Sequence, residues 1–420
     1  MRSELVRLTM LGAITGVTAG AVVLAFRWII EILQTGFLPD GILGNYEALP
    51  ALAVLLLPVT GGFVLGLLFE RLPAELRGVG IGHVIQQLRH TGRPKLPLSN
   101  AVVQFCAGAM AIVCGHSVDR EGPGVHLGAA SGSLVGRYSA DADSFTLTAA
   151  GAAAAIAAAF NTPLAGVVFV IEVLGIRYRV DRFIPVITAS VTGALISRAA
   201  YGATPSFSVS KLVMGSLYEL LPVAMLGLMT GLAASAFITL TEWVARQTWS
   251  WRPSLTFTLA GLFTGLIGLA YPHVLGVSYD TLNAILHNHL AGTVLIGLII
   301  GKLIATAVSV GLKVPGGLIG PSLVIGGAMG GVMGMLVHSL WVQGSGSESF
   351  YATVGMVSMM SAVLQAPLAA MFALLELTAD PNIIFPGMTA IVCADLLARQ
   401  LLGKESVFEH LLRLGRREEV

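Results

Sequence analysis

The sequence predicts an all-α, polytopic membrane protein, and composition and hydrophobic pattern carry that prediction. Of its 420 residues, 55% are hydrophobic and only 11% are charged, and the mean hydropathy is +0.82. Soluble domains carry roughly 25% charged residues. The apolar residues form long runs rather than the short alternating segments of a transmembrane barrel, so the membrane spans are expected to be helices.

The apolar runs give the expected helices in chain order. Several are shorter than the roughly 20 residues that a helix needs to cross a bilayer. Short apolar helices interrupted by Gly and Pro indicate tilted and broken helices whose ends meet inside the membrane, around a buried or wet cavity. The runs lie near residues 6–26, 51–69, 101–115, 122–136, 145–160, 163–176, 184–200, 217–241, 255–271, 293–311, 322–340, 351–362, 366–377 and 386–402.

The charged residues indicate how the chain is oriented in the membrane, and the charge and the cysteines restrict which partners it can bind. Basic residues cluster at 71–95, 177–182 and 399–417, which predicts that these segments and both termini face the cytoplasm. The first run lacks the cleavage pattern of a signal peptide, so it is expected to be a retained span. A net charge of +1 gives no bias toward nucleic acid. The three cysteines lie in apolar runs without paired spacing, which indicates neither disulfides nor a metal site. We expect one transmembrane domain, 1–420, without a soluble domain.

Two blocks of sequence recur in order. Residues 122–136 ("GPGVHLGAASGSLVG") align with 320–334 ("GPSLVIGGAMGGVMG"), and 161–173 ("NTPLAGVVFVIEV") align with 365–377 ("QAPLAAMFALLEL"). The two offsets, 198 and 204 residues, are nearly equal, which predicts two homologous halves with a substrate site near the midplane between them. The halves are placed roughly at 51–200 and 217–402.

The recurring Gly-Pro pairs predict an anion site. Pro123 and Pro321 suit the first turn of a helix, and Gly122 and Gly320 precede them. A helix N-terminus carries about half a positive charge and several free N–H groups. Two such ends that point at one spot would bind an anion without a fixed cation. The stretch "RGVGIGHV" (77–84) is a weaker third candidate.

Glu121 lies beside this predicted anion site. A charged residue at mid-membrane costs about 3 kcal/mol on insertion scales, so it is expected to be buried, paired or wetted. A tethered carboxylate can occupy the anion site itself and vacate it when protonated, which predicts a gate. The alternative is a helix-capping acid or an ion pair with Arg120. We expect Arg120 and Asp119 to hold the loop structurally.

These motifs resemble those of the CLC family of chloride channels and chloride/proton antiporters. The family pattern G-R-E-G-P appears as "DREGP" (119–123), G-x-F-x-P as "GLIGP" (317–321) and G-S-G-I-P as "GVGIG" (78–82). The segment "FNTPLAGVVFVIEV" also looks like the family segment that follows the gating helix. The similarity covers most of the chain in order.

The resemblance implies a homodimer in which each subunit has its own anion pathway, with bound chloride as the substrate and no cofactor. It implies that Glu121 is the gating glutamate, and that Arg120, Gly122, Pro123, Gly320 and Pro321 build the filter loops. The residues that it places around the anion are Val79, Gly80, Ile81, Gly317, Leu318, Ile319 and Phe408, with backbone N–H groups of Leu318, Ile319, Gly80 and Ile81 holding chloride.

Three departures from the family pattern point away from tight proton coupling. Val79 stands where the family usually has an anion-contacting Ser. The family's central Tyr corresponds to Phe408, with Val407 as the alternative. The internal proton-relay Glu of antiporters corresponds to Val173, which cannot carry a proton.

Glu172 has two possible roles. Either it forms a salt bridge with Arg177 or Arg179, or it offers a substitute proton entrance, and by repeat symmetry Glu376 has the same choice. Elsewhere in the chain, Lys302 and Lys313 would add positive potential to an anion path or, more often, snorkel to an interface.

Passive anion conduction gated by Glu121 is the function that the sequence favours, because the relay position holds Val. The alternative is a chloride/proton antiporter, which would need a water-filled proton route. Transport of another anion, such as fluoride or nitrate, is a variant of both. An intramembrane enzyme is disfavoured, because the sequence shows no HExxH, no GxSxG and no paired aspartates. A bacterial inner membrane is the expected location, with lipid as the surrounding partner and protons as a possible second substrate.

Overall fold

The computed structural model describes residues 2–89, 93–138, 140–177, 179–202, 207, 212, 214–340 and 346–418. The described chain is helical, and its strand pairing is an isolated antiparallel bridge between Asp119 and Gly317. The helices are α1 (Arg2–Phe37), α2 (Ala51–Arg71), α3 (Gly80–Arg89), α4 (Leu98–Val113), α5 (Glu121–Val135), α6 (Asp141–Phe160), α7 (Pro163–Glu172), α8 (Val180–Tyr201), α9 (Leu220–Thr248), α10 (Pro253–Ala270), α11 (Tyr279–Leu286), α12 (Gly292–Gly311), α13 (Ile319–Leu340), α14 (Glu348–Leu364), α15 (Pro367–Thr378), α16 (Ile384–Asp395, continued by a π-helical turn, Leu396–Leu401) and α17 (Val407–Glu418).

The predicted all-α membrane architecture is confirmed. Within the described residues, nine helical segments are long and apolar enough to cross a membrane. The shorter α4, α7 and α15 are also apolar, as expected for broken helices. Most predicted runs match helices to within a few residues, but α1 and α9 extend to Phe37 and Thr248, well past the predicted ends at 26 and 241. Hydrophobic pattern alone missed α11 and α17, because α11 has only 8 residues and α17 carries charged residues in each turn.

The two predicted repeats are visible in how the helices pack. A Cβ atom on Gly128 would lie 2.3 Å from the carbonyl oxygen of Gly151, where α5 crosses α6. A Cβ atom on Gly326 would lie 2.2 Å from the carbonyl oxygen of Gly355, where α13 crosses α14. Small residues let helix backbones approach closely in membranes. The two contacts are equivalent under the offsets of 198 and 204 residues, so the same helix pair occurs once in each half.

The inverted relation of the halves shows in α7 and α15. Each helix begins with a proline, Pro163 or Pro367, whose missing N–H costs nothing there. The last-turn glutamate of each helix accepts hydrogen bonds from the first turn of the other. The bonds are Leu368 N to Glu172 Oε1 (3.1 Å), Ala369 N to Glu172 Oε2 (2.7 Å), Leu164 N to Glu376 Oε1 (2.9 Å) and Ala165 N to Glu376 Oε2 (2.9 Å). The two helices therefore run antiparallel, end to start.

A proton entrance at Glu172 or Glu376 stays a prediction. The reciprocal capping does correct the expected salt bridge of Glu172 with Arg177 or Arg179, which is not among the observed contacts of Glu172. Both carboxylates instead satisfy N–H groups that a helix start leaves unpaired. The pattern was hidden in the sequence because the partners are about 200 residues apart.

The protein core lies where the two repeats meet. α6 is rich in alanine, and 89% of its apolar window is buried inside the protein. Almost all of α5 and α14 is buried as well. The starts of α5 and α13 are therefore enclosed by protein on all sides rather than facing lipid, which is where non-helical backbone is tolerated at membrane depth.

Candidate functional site

The site is built on a backbone bridge between the two repeats. The N–H of Asp119 donates to Gly317 O, and the N–H of Gly317 donates to Asp119 O, each at 3.1 Å. This pairing brings the start of α5 against the start of α13. A Cβ atom on Gly122 would lie 2.6 Å from Cα of Gly317, so the close approach requires glycine.

Asp119 does more than hold the loop. Its Oδ1 accepts from the backbone N–H groups of Glu121 and Gly122, both at 3.0 Å. Its Oδ2 accepts from the N–H of Gly320, across the repeat boundary, at 2.6 Å. The fully buried carboxylate thus links the first turns of α5 and α13. The first two hydrogen bonds could have been predicted from the sequence, because an Asp just before a helix commonly accepts from the N–H groups of the second and third residues that follow it.

Glu121 is fully buried, and within the described chain neither of its carboxylate oxygens accepts a hydrogen bond. Its nearest charge is Arg120, whose Nε lies 3.5 Å from Oε1. Arg120 also places Nη1 3.7 Å from Glu31 Oε1 and its guanidinium carbon 5.2 Å from the ring centre of Tyr279. Arg120 therefore lies close to two carboxylates, and its contact with Glu121 matches the ion pair that the sequence left open as the alternative to a gate. Glu31 and Tyr279 are neighbours that the sequence did not reveal.

A cavity of about 780 Å³ opens on one side of Glu121, and we call it the Phe408 cavity. Most residues that the resemblance places around the anion share its wall, together with the basic residues Arg77, Arg89 and Lys313. The expected residues in this wall are Val79, Gly80, Ile81, Gly122, Gly317, Leu318 and Phe408. The structure thus brings together segments near residues 80, 122, 317 and 408.

A second cavity, of about 420 Å³, lies on the other side, and we call it the Arg120 cavity. Its lining includes Arg27, Glu31, Arg120 and Tyr279. Arg120 faces this cavity, whereas Gly122 faces the Phe408 cavity. Glu121 lies between these two residues and is itself fully buried. Glu121 lines neither cavity, and its carboxylate contacts Arg120, which lines the Arg120 cavity.

The expected anion-binding N–H groups are only partly free. Gly80 N–H donates to Gln104 Oε1 at 2.6 Å, so the expectation that it faces an anion is wrong. Gly317 N–H is taken by the bridge to Asp119. Within the described residues, the N–H groups of Leu318 and Ile319 have no acceptor, as expected for the start of α13. Leu318 lines the Phe408 cavity, so positive potential from α13 reaches that cavity at Leu318, whereas Ile319, expected beside the anion, lines a separate small cavity of about 30 Å³.

The structure also shows where the three residues that depart from the family pattern lie. Val407 and Phe408 are both buried in the core, and of the two Phe408 lines the Phe408 cavity. Its place beside an anion stays a prediction. Val79 faces the same cavity, so two apolar side chains stand where the family has hydroxyls. Val173 follows α7 and is buried, so no titratable side chain stands at the relay position.

Of the two lysines, Lys302 fits neither expected position, whereas Lys313 lines the Phe408 cavity. Lys302 is fully buried, and its Nζ donates to Val274 O (2.9 Å), Gly276 O (2.7 Å) and Ser278 Oγ (2.7 Å). It neither snorkels nor lines the path, because its charge is satisfied by the loop before α11. Lys313 does line the Phe408 cavity, where its Nζ donates to Trp249 O at 2.7 Å.

In the described part of the chain, no cluster of three or more His, Cys, Asp or Glu side chains could hold a metal ion. The chemistry that this arrangement supports is the movement of an anion and of protons. An anion is attracted by N–H dipoles and basic side chains, and a buried carboxylate stands in its way.

Comparison with known proteins gives consistent results. The family profile "Voltage gated chloride channel" matches residues 61–399. A ClcB-like chloride channel protein of Ralstonia nicotianae is 28% identical over 97% of this chain and 96% of its own length. The H(+)/Cl(-) exchange transporter ClcA of Vibrio vulnificus is 27% identical over 96% of this chain and 88% of its own. The crystal structure of a slow cyanobacterial Cl−/H+ antiporter matches with a TM-score of 0.85 and 22% identity, covering 97% of this chain and 98% of that one.

Proposed function

Because the chain belongs to the voltage-gated chloride channel family, we propose that this integral membrane protein exchanges chloride for protons across the membrane, with Glu121 as the gate. The observation that carries the proposal is the Glu121 carboxylate, which is fully buried, accepts no hydrogen bond from the described residues, and belongs to a helix start whose flanking residues, Arg120 and Gly122, line two different cavities. Full-length similarity to relatives named as H(+)/Cl(-) exchange transporters supports exchange over passive flow.

The geometry supports a two-sided competition for one position. Basic side chains and the free N–H groups of Leu318 and Ile319 draw chloride from the Phe408 cavity toward Glu121. The ionised carboxylate repels chloride and competes with it. When the carboxylate takes up a proton, it becomes neutral and yields to the anion. When it releases that proton to the other cavity, it closes the path again, so chloride and the proton move in opposite directions.

Passive anion conduction is the second candidate, and Val173 favours it. An exchanger needs protons to reach Glu121 from both sides, and a buried Val at the relay position supplies none. A water-filled route from the Phe408 cavity would serve instead, since that cavity extends to Gly122. Transport of fluoride or nitrate is a variant of either mechanism, because Val79 and Phe408 remove hydroxyls that would select among anions.

Reconstitution distinguishes these mechanisms. We expect that liposomes loaded with chloride, facing an outward chloride gradient with the voltage clamped by valinomycin and potassium, drive protons inward against their gradient. Glu121→Gln should abolish proton movement and keep chloride flux, because the amide cannot titrate. Glu4→Gln, which changes an exposed carboxylate in the first turn of α1, is the matched control and should behave as wild type.

The outcomes separate the candidates. Chloride efflux without proton movement in the wild-type protein would establish passive conduction and overturn exchange. Fluoride or nitrate flux with no chloride flux would show that the transported anion is not chloride. No anion flux from a folded wild-type protein would overturn transport itself.

The assembly and orientation implied by the resemblance stay predictions. We propose a homodimer whose two subunits each hold a complete pathway, since both cavities are formed by one chain. Light scattering on the detergent-solubilised protein should give twice the chain mass of 43.7 kDa after subtraction of detergent. Both termini are proposed to be cytoplasmic, in a bacterial inner membrane.

A further inference from the structure

We propose that Asp119 is a built-in anion of the filter: its carboxylate occupies the N–H cradle between the two repeats and competes there with the transported anion. This inference rests on the proposed anion transport and concerns how tightly the anion is held. It assigns Asp119 a specificity role that is separate from the gate, Glu121.

The cradle contains three converging donors. The N–H groups of Glu121 and Gly122 point at one carboxylate oxygen of Asp119, and the N–H of Gly320 points at the other. These groups belong to the first turns of α5 and α13, so the positive ends of two helix dipoles meet at the carboxylate. Hydrogen bonds to an ionised acceptor are about twice as strong as neutral ones.

The surrounding backbone leaves room for this side chain. A Cβ atom on Gly317 would lie 1.8 Å from Asp119 Oδ1, and a Cβ atom on Gly320 would lie 3.0 Å from Asp119 Cβ. Any side chain at Gly317 would therefore displace the carboxylate. The pattern "DREGP" places Asp where the resembling motif has Gly, so the carboxylate is a feature of this chain.

A second buried carboxylate stands beside the cradle without a hydrogen bond of its own. Glu121 is two residues further on, fully buried, and neither of its oxygens accepts a hydrogen bond from the described residues. The N–H groups that would stabilise it, or an anion in its place, are held by Asp119. Asp119 is thus the stationary anion and Glu121 the movable one.

The consequence is weak anion binding at this position. An anion that enters the cradle must displace a tethered carboxylate, whose effective concentration is far above that of any free ion. Chloride is then left with the unpaired N–H groups of Leu318, which lines the Phe408 cavity, and of its neighbour Ile319. Because Asp119 occupies three of the N–H donors, each subunit should bind fewer anions than the total number of N–H donors at the two helix starts would allow.

Bromide and chloride binding to variants of the full chain tests this inference. In isothermal titration, Asp119→Gly should bind chloride at least about tenfold tighter than wild type, because three N–H donors are released. Asp119→Asn should fall between the two, since its oxygen keeps the α5 donors while its NH₂ group cannot accept from Gly320. A purely electrostatic effect would make the Asn and Gly variants equal. Asp380→Gly removes a carboxylate that caps Asn382 N at 2.9 Å, outside the filter, and should match wild type.

Anomalous diffraction from bromide-soaked crystals gives a second test, and its result for the wild-type protein does not depend on any variant folding. The wild-type protein should show no bromide within hydrogen-bond distance of Gly122 N and Gly320 N, whereas Asp119→Gly should show one there. Bromide in the wild-type cradle, with Asp119 swung away, would overturn the inference. Equal chloride affinity of wild type and Asp119→Gly would overturn it too. Anion flux with either result keeps the proposed transport, and its absence in folded wild-type protein would refute the transport instead.

Discussion

Asp119 and Glu121 are two residues apart and differ in how their charge is balanced. Asp119 accepts three backbone hydrogen bonds, whereas the Glu121 carboxylate accepts none from the described residues and has Arg120 Nε at 3.5 Å, with the Tyr279 side chain and the like-charged Asp119 also close by. Burying a charge without hydrogen bonds is expensive. The well-satisfied carboxylate therefore stabilises the loop, and the poorly satisfied one is ready to move or to take up a proton. This contrast supports the proposal that Glu121 is the movable gate and Asp119 the stationary carboxylate.

The walls of the Phe408 cavity give a prediction at the level of single side chains. Val79→Ser and Phe408→Tyr each place a hydroxyl donor where chloride approaches, and each should tighten chloride binding by about fivefold, as expected for roughly 1 kcal/mol per hydrogen bond. Isothermal titration of chloride measures the effect. Val310→Ser changes the same wall, away from the starts of α3 and α17, and is the matched control. Unchanged affinity in both variants would show that chloride does not pass these side chains.

At the level of helices, the reciprocal caps of α7 and α15 are structural. Glu172→Gln and Glu376→Gln each weaken two charge-assisted hydrogen bonds to a helix start, and each should lower the free energy of unfolding by about 1 to 2 kcal/mol. The caps lie at opposite ends of a helix pair, so the double variant should show the sum of the two losses.

Thermal melting in detergent measures these losses, and proton flux in liposomes tests whether the glutamates have a second role. A structural role predicts lower melting temperatures with an unchanged ratio of protons to chloride. Lost proton coupling in Glu172→Gln, at unchanged stability, would instead make that carboxylate the proton entrance. Glu348→Gln, in the first turn of α14, is the control.

The helices show what the sequence could and could not predict. Long apolar runs gave α1, α2 and α9, because hydropathy is a property of the run itself. The Gly-Pro pairs predicted the starts of α5 and α13, because the preference of proline for the first turn of a helix depends only on the local backbone. The cap on Glu172 and the bond from Gly80 to Gln104 needed partners that the sequence does not place. The third hydrogen bond of Asp119, from Gly320, was missed for the same reason.

The whole molecule is organised by its duplication. Two equivalent helix pairs, α5–α6 and α13–α14, pack through glycines, and the starts of α5 and α13 meet at Asp119 and Gly317. α7 and α15 then cap each other. The site therefore depends on both halves, because neither half alone brings the two helix starts together. Tight packing of the pairs fixes where these starts lie.

This organisation predicts matched responses in the two halves. A Cβ atom on Gly151 would lie 1.9 Å from Gly128 O, and one on Gly355 would lie 2.2 Å from Gly326 O. Gly151→Ala and Gly355→Ala should each destabilise the protein by about 3 kcal/mol, because neither helix pair can separate without moving the filter. Gly36→Ala, with nothing within 4 Å of the added atom, should be neutral or slightly stabilising.

Melting temperature and chloride affinity should both fall in Gly151→Ala and in Gly355→Ala. Neither quantity should fall in Gly36→Ala. If Gly151→Ala disturbed the protein and Gly355→Ala did not, the two halves would differ in packing tolerance, and the filter would depend on α5 alone. Equal losses would instead show that each half positions one of the two helix starts, and that anion binding requires both.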